Sequence, residues 1–242
     1  MKRIVEDLRR DGFALRSGKA MQVWLGDAWN GWDAFAASWD DLPEDAYMAD
    51  GGRYRRRRFA VFSICGDKIA RAAHQPHFQS RVYNRLNGGF SRWFEPMSDG
   101  VAGGPLTQCL IRGAAQFFEA IFPCGPAPVT WHVEMHQFRI EAGAGQTGLP
   151  TPEGIHRDGV DGAFVMLVNR ENVSSGVTRI FDANRRPLGS FTLTDRADAV
   201  FLDDTRVFHG VTAITPLDPQ KMAVRDVLVI TFLRDGASEP GR

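Results

Sequence analysis

The stretch Gly154-Ile155-His156-Arg157-Asp158-Gly159, taken with Phe208-His209-Gly210, decides how the chain is read. A histidine, an aspartate two residues on and a second histidine 53 residues later make the pattern H-x-D…H. Two imidazoles and one carboxylate are the ligand set that holds non-haem Fe(II) on one face and leaves other positions open. His156-Arg157-Asp158 also matches the opening of a protein-kinase catalytic loop. That loop requires an Asn five residues after the Asp, a Gly-rich loop, a strand lysine and D-F-G. Ala163 stands at the Asn position, and neither the V-A-I-K strand lysine nor D-F-G occurs in the sequence, so a kinase is excluded.

Residues i and i+2 of a strand point to the same side. His156 and Asp158 therefore face inward together if they lie on a strand or its lead-in, and Arg157 points away. No single segment can supply all three ligands, so His209 must arrive on another strand. The surrounding sequence has that texture. Val129 to Ala142, Gly162 to Asn169, Gly176 to Asp182, Ser190 to Thr194, Ala199 to Leu202 and Asp226 to Leu233 are short strand-like runs, with a hairpin tip at Asn184 to Pro187. Many short strands separated by turn signals argue for a sandwich or barrel.

The first half is different. Ile4, Val5 and Leu8 mark a helix over 2–11, stopped by Gly12. Trp29, Trp32, Phe35, Ala36 and Trp39 form an aromatic stripe on a helix from Asp27 to Asp40, laid against the sheet. Tyr54 to Ile64 reads as a strand whose arginines alternate faces, so that one or two of Arg53 to Arg58 could meet an anionic group. His74 to Met97 is irregular. His74 and His77 are interrupted by Pro76 and lack a third ligand, so they are not read as a metal site. Pro105 to Phe122 is the clearest helix, ended by Pro123. The expected fold class is α+β: a jelly roll with N-terminal and buttressing helices. Residues 1–242 form one domain, with 1–53 a helical extension and 54–235 the jelly-roll core, supported by helix 105–122.

Length and composition fit this. The chain has 242 residues, 43% hydrophobic and 24% charged, enough for one domain with a sizeable core. Lys+Arg and Asp+Glu balance at 29 each, which argues against nucleic acid or a membrane surface as partner. Met1-Lys2-Arg3 is followed by charges rather than an apolar stretch, and no apolar run approaches spanning length. Cys65, Cys109 and Cys124 are read as reduced, buried core cysteines of a cytoplasmic protein.

Arg225 heads the last strand, sixteen residues after His209. A guanidinium there can grip a carboxylate through two parallel hydrogen bonds. The alternative is an ion pair with Asp226. Gln137 and Arg139 share one face of the Trp131–Ile140 strand. His132 and His136 share the other, as candidates to support the site or touch substrate. Asp161, Asp203 and Asp204 compete for the carboxylate position, with turn formation the reading for Asp203 and Asp204.

Six stretches together resemble one family: Tyr54-Arg55-Arg56-Arg57-Arg58-Phe59, Gly88-Gly89-Phe90-Ser91-Arg92-Trp93-Phe94-Glu95-Pro96, His136-Gln137-Phe138-Arg139, Gly154 to Gly159, Asn169-Arg170-Glu171-Asn172 and Leu202 to Thr212. They resemble the Fe(II)/2-oxoglutarate-dependent dioxygenases, and within them the branch of bacterial L-isoleucine 4-hydroxylase and related free-amino-acid hydroxylases. The resemblance implies a double-stranded β-helix that uses Fe(II), 2-oxoglutarate and O2, with ascorbate as an in vitro activator. It implies hydroxylation of an aliphatic C–H bond of a small substrate, a free L-amino acid resembling Ile, Leu or Met, with release of succinate and CO2. His156, Asp158 and His209 would hold the metal and Arg225 the 5-carboxylate of 2-oxoglutarate. Many relatives carry Ser two residues after this Arg. Val227 stands there, so Thr178 or Gln137 would supply the hydrogen bond. The other readings are a same-fold enzyme acting on a modified amino acid, peptide or natural product, and a non-catalytic metal-binding stress protein. The protein is expected as a monomer or homodimer.

Overall fold

The computed structural model describes residues 2–123, 128–143 and 145–236. In chain order they form α1 (Lys2–Asp11), β1 (Phe13–Arg16), α2 (Gly18–Leu25), a 3-10 segment (Gly26–Gly31), α3 (Trp32–Ala37), β2 (Arg55–Cys65), β3 (Lys68–Arg71), α4 (Asp99–Ala102) and α5 (Pro105–Ile121). The strands β4 (Thr130–Ala142), β5 (Gly162–Glu171), β6 (Val173–Ser175), β7 (Thr178–Phe181) and β8 (Pro187–Phe191) follow. Last come β9 (Ala199–Asp203), β10 (Phe208–Val211), β11 (Ile214–Pro216) and β12 (Ala223–Arg234).

Seven strands make an antiparallel sheet in the order β1-β9-β5-β12-β4-β2-β3. Its two faces do different work because side chains alternate. Trp131, Val133 and Met135 of β4, Phe164 and Met166 of β5, and Leu228, Ile230 and Phe232 of β12 turn to one side and join the main core. Leu110, Phe117 and Phe118 of α5 fill that side, with Phe118 meeting Phe232 at a 5.1 Å ring separation. Trp24 reaches α5 only because Gly113 is bare: a Cβ there would lie 2.0 Å from the indole. The opposite face looks toward a small sheet, β10-β7-β8, and the pair β11-β6. Two antiparallel sheets facing one another are the jelly-roll core.

Several expectations need correcting. The 27–40 segment is a 3-10 turn followed by the short α3, because Asn30-Gly31 interrupts regular helix and lets Trp29 stack on Trp32 at 4.4 Å. Its stripe still buries Trp32, Phe35 and Trp39 against the sheet, with Trp39 Nε1 donating to Phe138 O at 3.1 Å. The N-terminal stretch is not purely helical. β1 pairs with β9, Phe13 opposite Leu202, and four residues are too few to show a period of two. β8 begins earlier than expected, because the Asp182 carboxylate accepts from Asn184 N and Arg186 N and closes the hairpin by residue 186. Cys65 is exposed and Cys109 half-buried, since Cys65 ends β2 on its solvent side; Cys124 lies outside the described residues.

Candidate metal centre and its cavity

Between the two sheets lies a cavity lined from β2, β4, β5, β9 and β12 on one side and β7 and β10 on the other. Alternation chooses its residues: Glu134, His136, Phe138 and Ile140 from β4, and Arg225, Val227, Val229 and Thr231 from β12. The irregular 77–92 loop supplies a further wall, including His77, Asn84 and Arg92.

His156, Asp158 and His209 meet in this cavity, with one donor atom from each within 4.8 Å of the others. The H-x-D segment is not a regular strand. His156 and His209 form a single antiparallel bridge, each amide donating to the other's carbonyl at 2.9 Å. Asp158 reaches both rings, its Oδ1 3.4 Å from His156 Nε2 and its Oδ2 3.7 Å from His209 Nε2. Arg157 points away, its guanidinium 4.3 Å from the Phe208 ring centroid. Gly159 follows at φ +85°, where a Cβ would strike the Tyr83 ring at 2.5 Å, so this turn needs glycine twice over.

Asp204 holds the loop. Its carboxylate accepts from the amides of Asp158 (3.0 Å), Gly159 (2.8 Å) and Val160 (3.2 Å), and Oδ1 lies 4.0 Å from His209 Nδ1. It therefore shapes the segment bearing Asp158 rather than a turn of its own. Asp203 does serve a local turn, accepting from Thr205 N. Asp161 is bound to Arg234 at 2.7 Å and is no competitor for the ligand position.

Protonation suits a divalent ion. His156 Nδ1 lies 3.0 Å from Gly154 O, and a carbonyl can only accept, so Nδ1 carries hydrogen and Nε2 is the ligating atom. That Nε2 sits 3.4 Å from both Asp158 Oδ1 and Glu153 Oε1. Burial opposes a charge on His156, yet Asp158 and Glu153 outweigh it and raise its pKa to about 10. Burial and the adjacent His156 push His209 down to about 4. Burial also opposes charge on Asp158, but the two imidazoles hold its carboxyl below the usual range. A cation would take the place of the proton shared by this buried, carboxylate-rich set, so the donors fit a metal of the two-histidine, one-carboxylate class.

Arg225 is 2% exposed and faces the cavity; its guanidinium makes no hydrogen bond to any described residue. Asp226 is not its partner: it points to the helix side, where Arg139 grips it at 2.7 and 2.8 Å. Thr178 lines the cavity and is buried. Gln137 does not. It is fully buried on the helix-facing side of β4, with Nε2 donating to Ser38 Oγ at 2.7 Å, so it is corrected to a structural residue. His74 is separated from His77 and packs against Trp93 at 5.3 Å.

A second group went unread in the sequence. His77, Glu134 and His136 also place donor atoms within 4.8 Å of one another. His132 joins them only at the edge, its Nε2 3.5 Å from Glu134 Oε1. The pair Glu134-x-His136 has the same two-residue offset as His156-x-Asp158, and that offset was its one signal.

Comparison with known proteins agrees with this geometry. L-isoleucine-4-hydroxylase from Bacillus thuringiensis is 27% identical over 198 residues, 79% of this chain and 78% of that protein. The crystal structure of a bsmA homolog from Methylobium petroleophilum PM1 superposes with a TM-score of 0.89 at 34% identity, covering 99% of this chain and 95% of that one. The IDO structure from Bacillus thuringiensis shares the fold, with a TM-score of 0.78 at 20% identity over 97% and 99% of the two chains. The family model described as 2OG-Fe dioxygenase matches residues 36–231, a span that holds the H-x-D…H cluster, Arg225 and every strand except β1 and the end of β12. The chain belongs to the 2OG-Fe dioxygenase family and is a non-haem iron, 2-oxoglutarate-dependent oxygenase.

Proposed function

We propose that this enzyme hydroxylates an aliphatic C–H bond of a free L-amino acid of the Ile, Leu or Met kind. His156, Asp158 and His209 hold Fe(II), and Arg225 with Thr178 binds the 5-carboxylate of 2-oxoglutarate. The observation that carries the reading is a buried guanidinium without a hydrogen-bond partner in the same cavity as a two-histidine, one-carboxylate cluster. Burial, then the neighbouring Arg170, pushes Arg225 down to about 10, which still leaves it charged near neutrality and in need of an anion. Thr178 offers a hydroxyl from the facing strand where Val227 offers none. Bound Fe(II) supplies the site at which 2-oxoglutarate and O2 react and the substrate C–H bond is oxidised.

The chain's own residues orient and shield that chemistry. Val165, Val200, Leu202, Val227 and Val229 give the cavity an aliphatic wall that excludes water and suits an aliphatic side chain. A relative named as an isoleucine hydroxylase supports the amino-acid class. We place the enzyme in the cytoplasm as a monomer or homodimer, with ascorbate sustaining activity in vitro. Among the described residues no helix is long and apolar enough to cross a membrane.

The test is mass spectrometry of a mixture of aliphatic L-amino acids incubated with the protein, Fe(II), ascorbate and 2-oxoglutarate. One amino acid is expected to gain one oxygen as an equimolar amount of succinate forms. Succinate formation without oxygen gain in any amino acid would redirect the reading to a modified amino acid, peptide or natural product.

A further inference from the structure

The cavity has a second charged end, at β2, β4 and the 77–92 loop. The arginines of β2 alternate: Arg56 and Arg58 turn outward to Glu141 (3.0 Å) and Asp41 (2.8 Å), whereas Arg55 and Arg57 turn into the cavity. Arg55 is held by Asp45 at 2.7 Å. Arg57 lies 3.7 Å from the same carboxylate oxygen, 2.6 Å from His136 Nδ1 and 3.5 Å from the Phe94 ring centroid. Both are partnered. Arg92 is not: it is 2% exposed, rests 5.6 Å from the Phe94 centroid, and makes no side-chain hydrogen bond to any described residue. Burial and then the nearby Arg55 push Arg92 down to about 10, opposed only in part by Asp45, Glu153 and Glu134, none of which forms an ion pair with it. Arg92 is thus the second buried guanidinium of this cavity left without a contact anion, after Arg225.

The same cavity wall holds Glu134, whose Oε2 is 2.8 Å from Nδ1 of His77, the residue bridged to Arg92, and 3.7 Å from His136 Nε2. This trio could be taken for another metal site, but hydrogen positions oppose that. A guanidinium only donates, so Arg57 makes His136 Nδ1 an acceptor and leaves the proton of the neutral ring on Nε2, facing Glu134. A carboxylate only accepts, so the His77 Nδ1 that faces Glu134 carries hydrogen as well. The imidazoles present N–H groups, not lone pairs, to the centre of the trio. Glu134 is left as an ionised acceptor with lone-pair capacity to spare.

We propose that this end of the cavity is a zwitterion clamp, in which Arg92 takes the α-carboxylate of the substrate and Glu134 takes its α-ammonium. The clamp rests on the amino-acid reading above. It satisfies both groups at once: a zwitterion brings an anion to the unpaired cation and a cation to the unpaired face of the anion, adding no net charge to a buried space. A peptide-bound residue would bring neither charge, and both groups would stay unmatched.

Calorimetric binding under anaerobic conditions tests the clamp, using protein loaded with Fe(II) and 2-oxoglutarate. The probes are L-isoleucine, L-leucine and L-methionine, each with its amide and its N-acetyl derivative. Wild-type protein is expected to bind at least one free amino acid about tenfold or more tightly than either derivative. R92Q removes the preference over the amide, E134Q removes the preference over the N-acetyl form, and R92K restores part of the first. Each variant keeps 2-oxoglutarate affinity within about twofold, which shows that it is folded. The clamp is overturned if both variants bind the free amino acid as the wild type does, or if each weakens all three forms equally. Oxygen gain, followed in parallel, separates the two readings. Hydroxylation of an amino acid with unchanged KM in R92Q and E134Q sinks the clamp alone. Absence of both binding and oxygen gain in the wild type sinks the clamp and the amino-acid reading together.

Discussion

Two clusters in one cavity have the same composition and opposite chemistry. His156, Asp158 and His209 form one; His77, Glu134 and His136 form the other. Each is two histidines and a carboxylate within 4.8 Å. What separates them is the group behind the rings. Behind His156 stands a backbone carbonyl, which takes the Nδ1 hydrogen and leaves Nε2 free to ligate. Behind His136 stands a guanidinium, which occupies Nδ1 and leaves the hydrogen on the inward atom. A count of ligand types would call both metal sites. Hydrogen-bond direction assigns a cation to one and a hydrogen-bonded carboxylate to the other.

The largest effect is expected from breaking the first cluster. Asp158→Ala or His209→Ala should reduce succinate formation to background, with metal affinity falling by more than the roughly 10–100-fold that loss of an outer partner costs. Succinate formation that survives either change would remove the triad assignment. Next comes the cosubstrate end. Arg225→Ala should weaken apparent 2-oxoglutarate affinity about 10–100-fold, the worth of a lost charge-assisted pair, while iron is retained; an unchanged affinity would refute that role.

The smallest effect concerns pH and the second cluster. Burial, opposed only in part by Glu134, keeps His77 below the ordinary histidine range and His136 at about 3. Between about pH 6.5 and 5 the unfolded chain binds protons on these rings that the folded chain refuses, so stability falls as pH falls through that window. Glu134 is held ionised despite burial, so its contribution is lost only at lower pH, below the ordinary glutamate range. His136→Asn should flatten the upper part of the decline by about 1–2 kcal/mol between pH 6.5 and 5, read from denaturant unfolding at each pH. An equally steep decline in that variant would mean that His136 is not the group being titrated.

What the sequence made legible follows from where periodicity operates. His156 and Asp158 declare themselves because an offset of two places both on one side, even though only a single bridge forms there. Arg225 is legible for the same reason, since it alternates inward with Val227 and Val229 along β12. Gln137 misleads because neither face of β4 is exposed, so a polar residue gives no sign of which side it serves. Glu134 lies between His132 and His136 on the same face of β4, where an acid alone gives no sign of the partner, His77, that comes from a distant loop. Arg92 could not be found by pattern at all. Its position is set by a bridge to His77 within an irregular loop, and its burial by ring contacts with Phe94. In the fold, the long strands and α5 were readable, and β1, with four residues, was not.

Counting iron is the most direct test of the difference between the clusters. Protein loaded with Fe(II) under anaerobic conditions in the presence of 2-oxoglutarate, desalted and analysed for metal, should carry one iron per chain in the wild type. The same value is expected in Glu134→Gln, and essentially none in Asp158→Ala. Two irons in the wild type with one lost in Glu134→Gln, or iron retained in Asp158→Ala, would contradict the assignment.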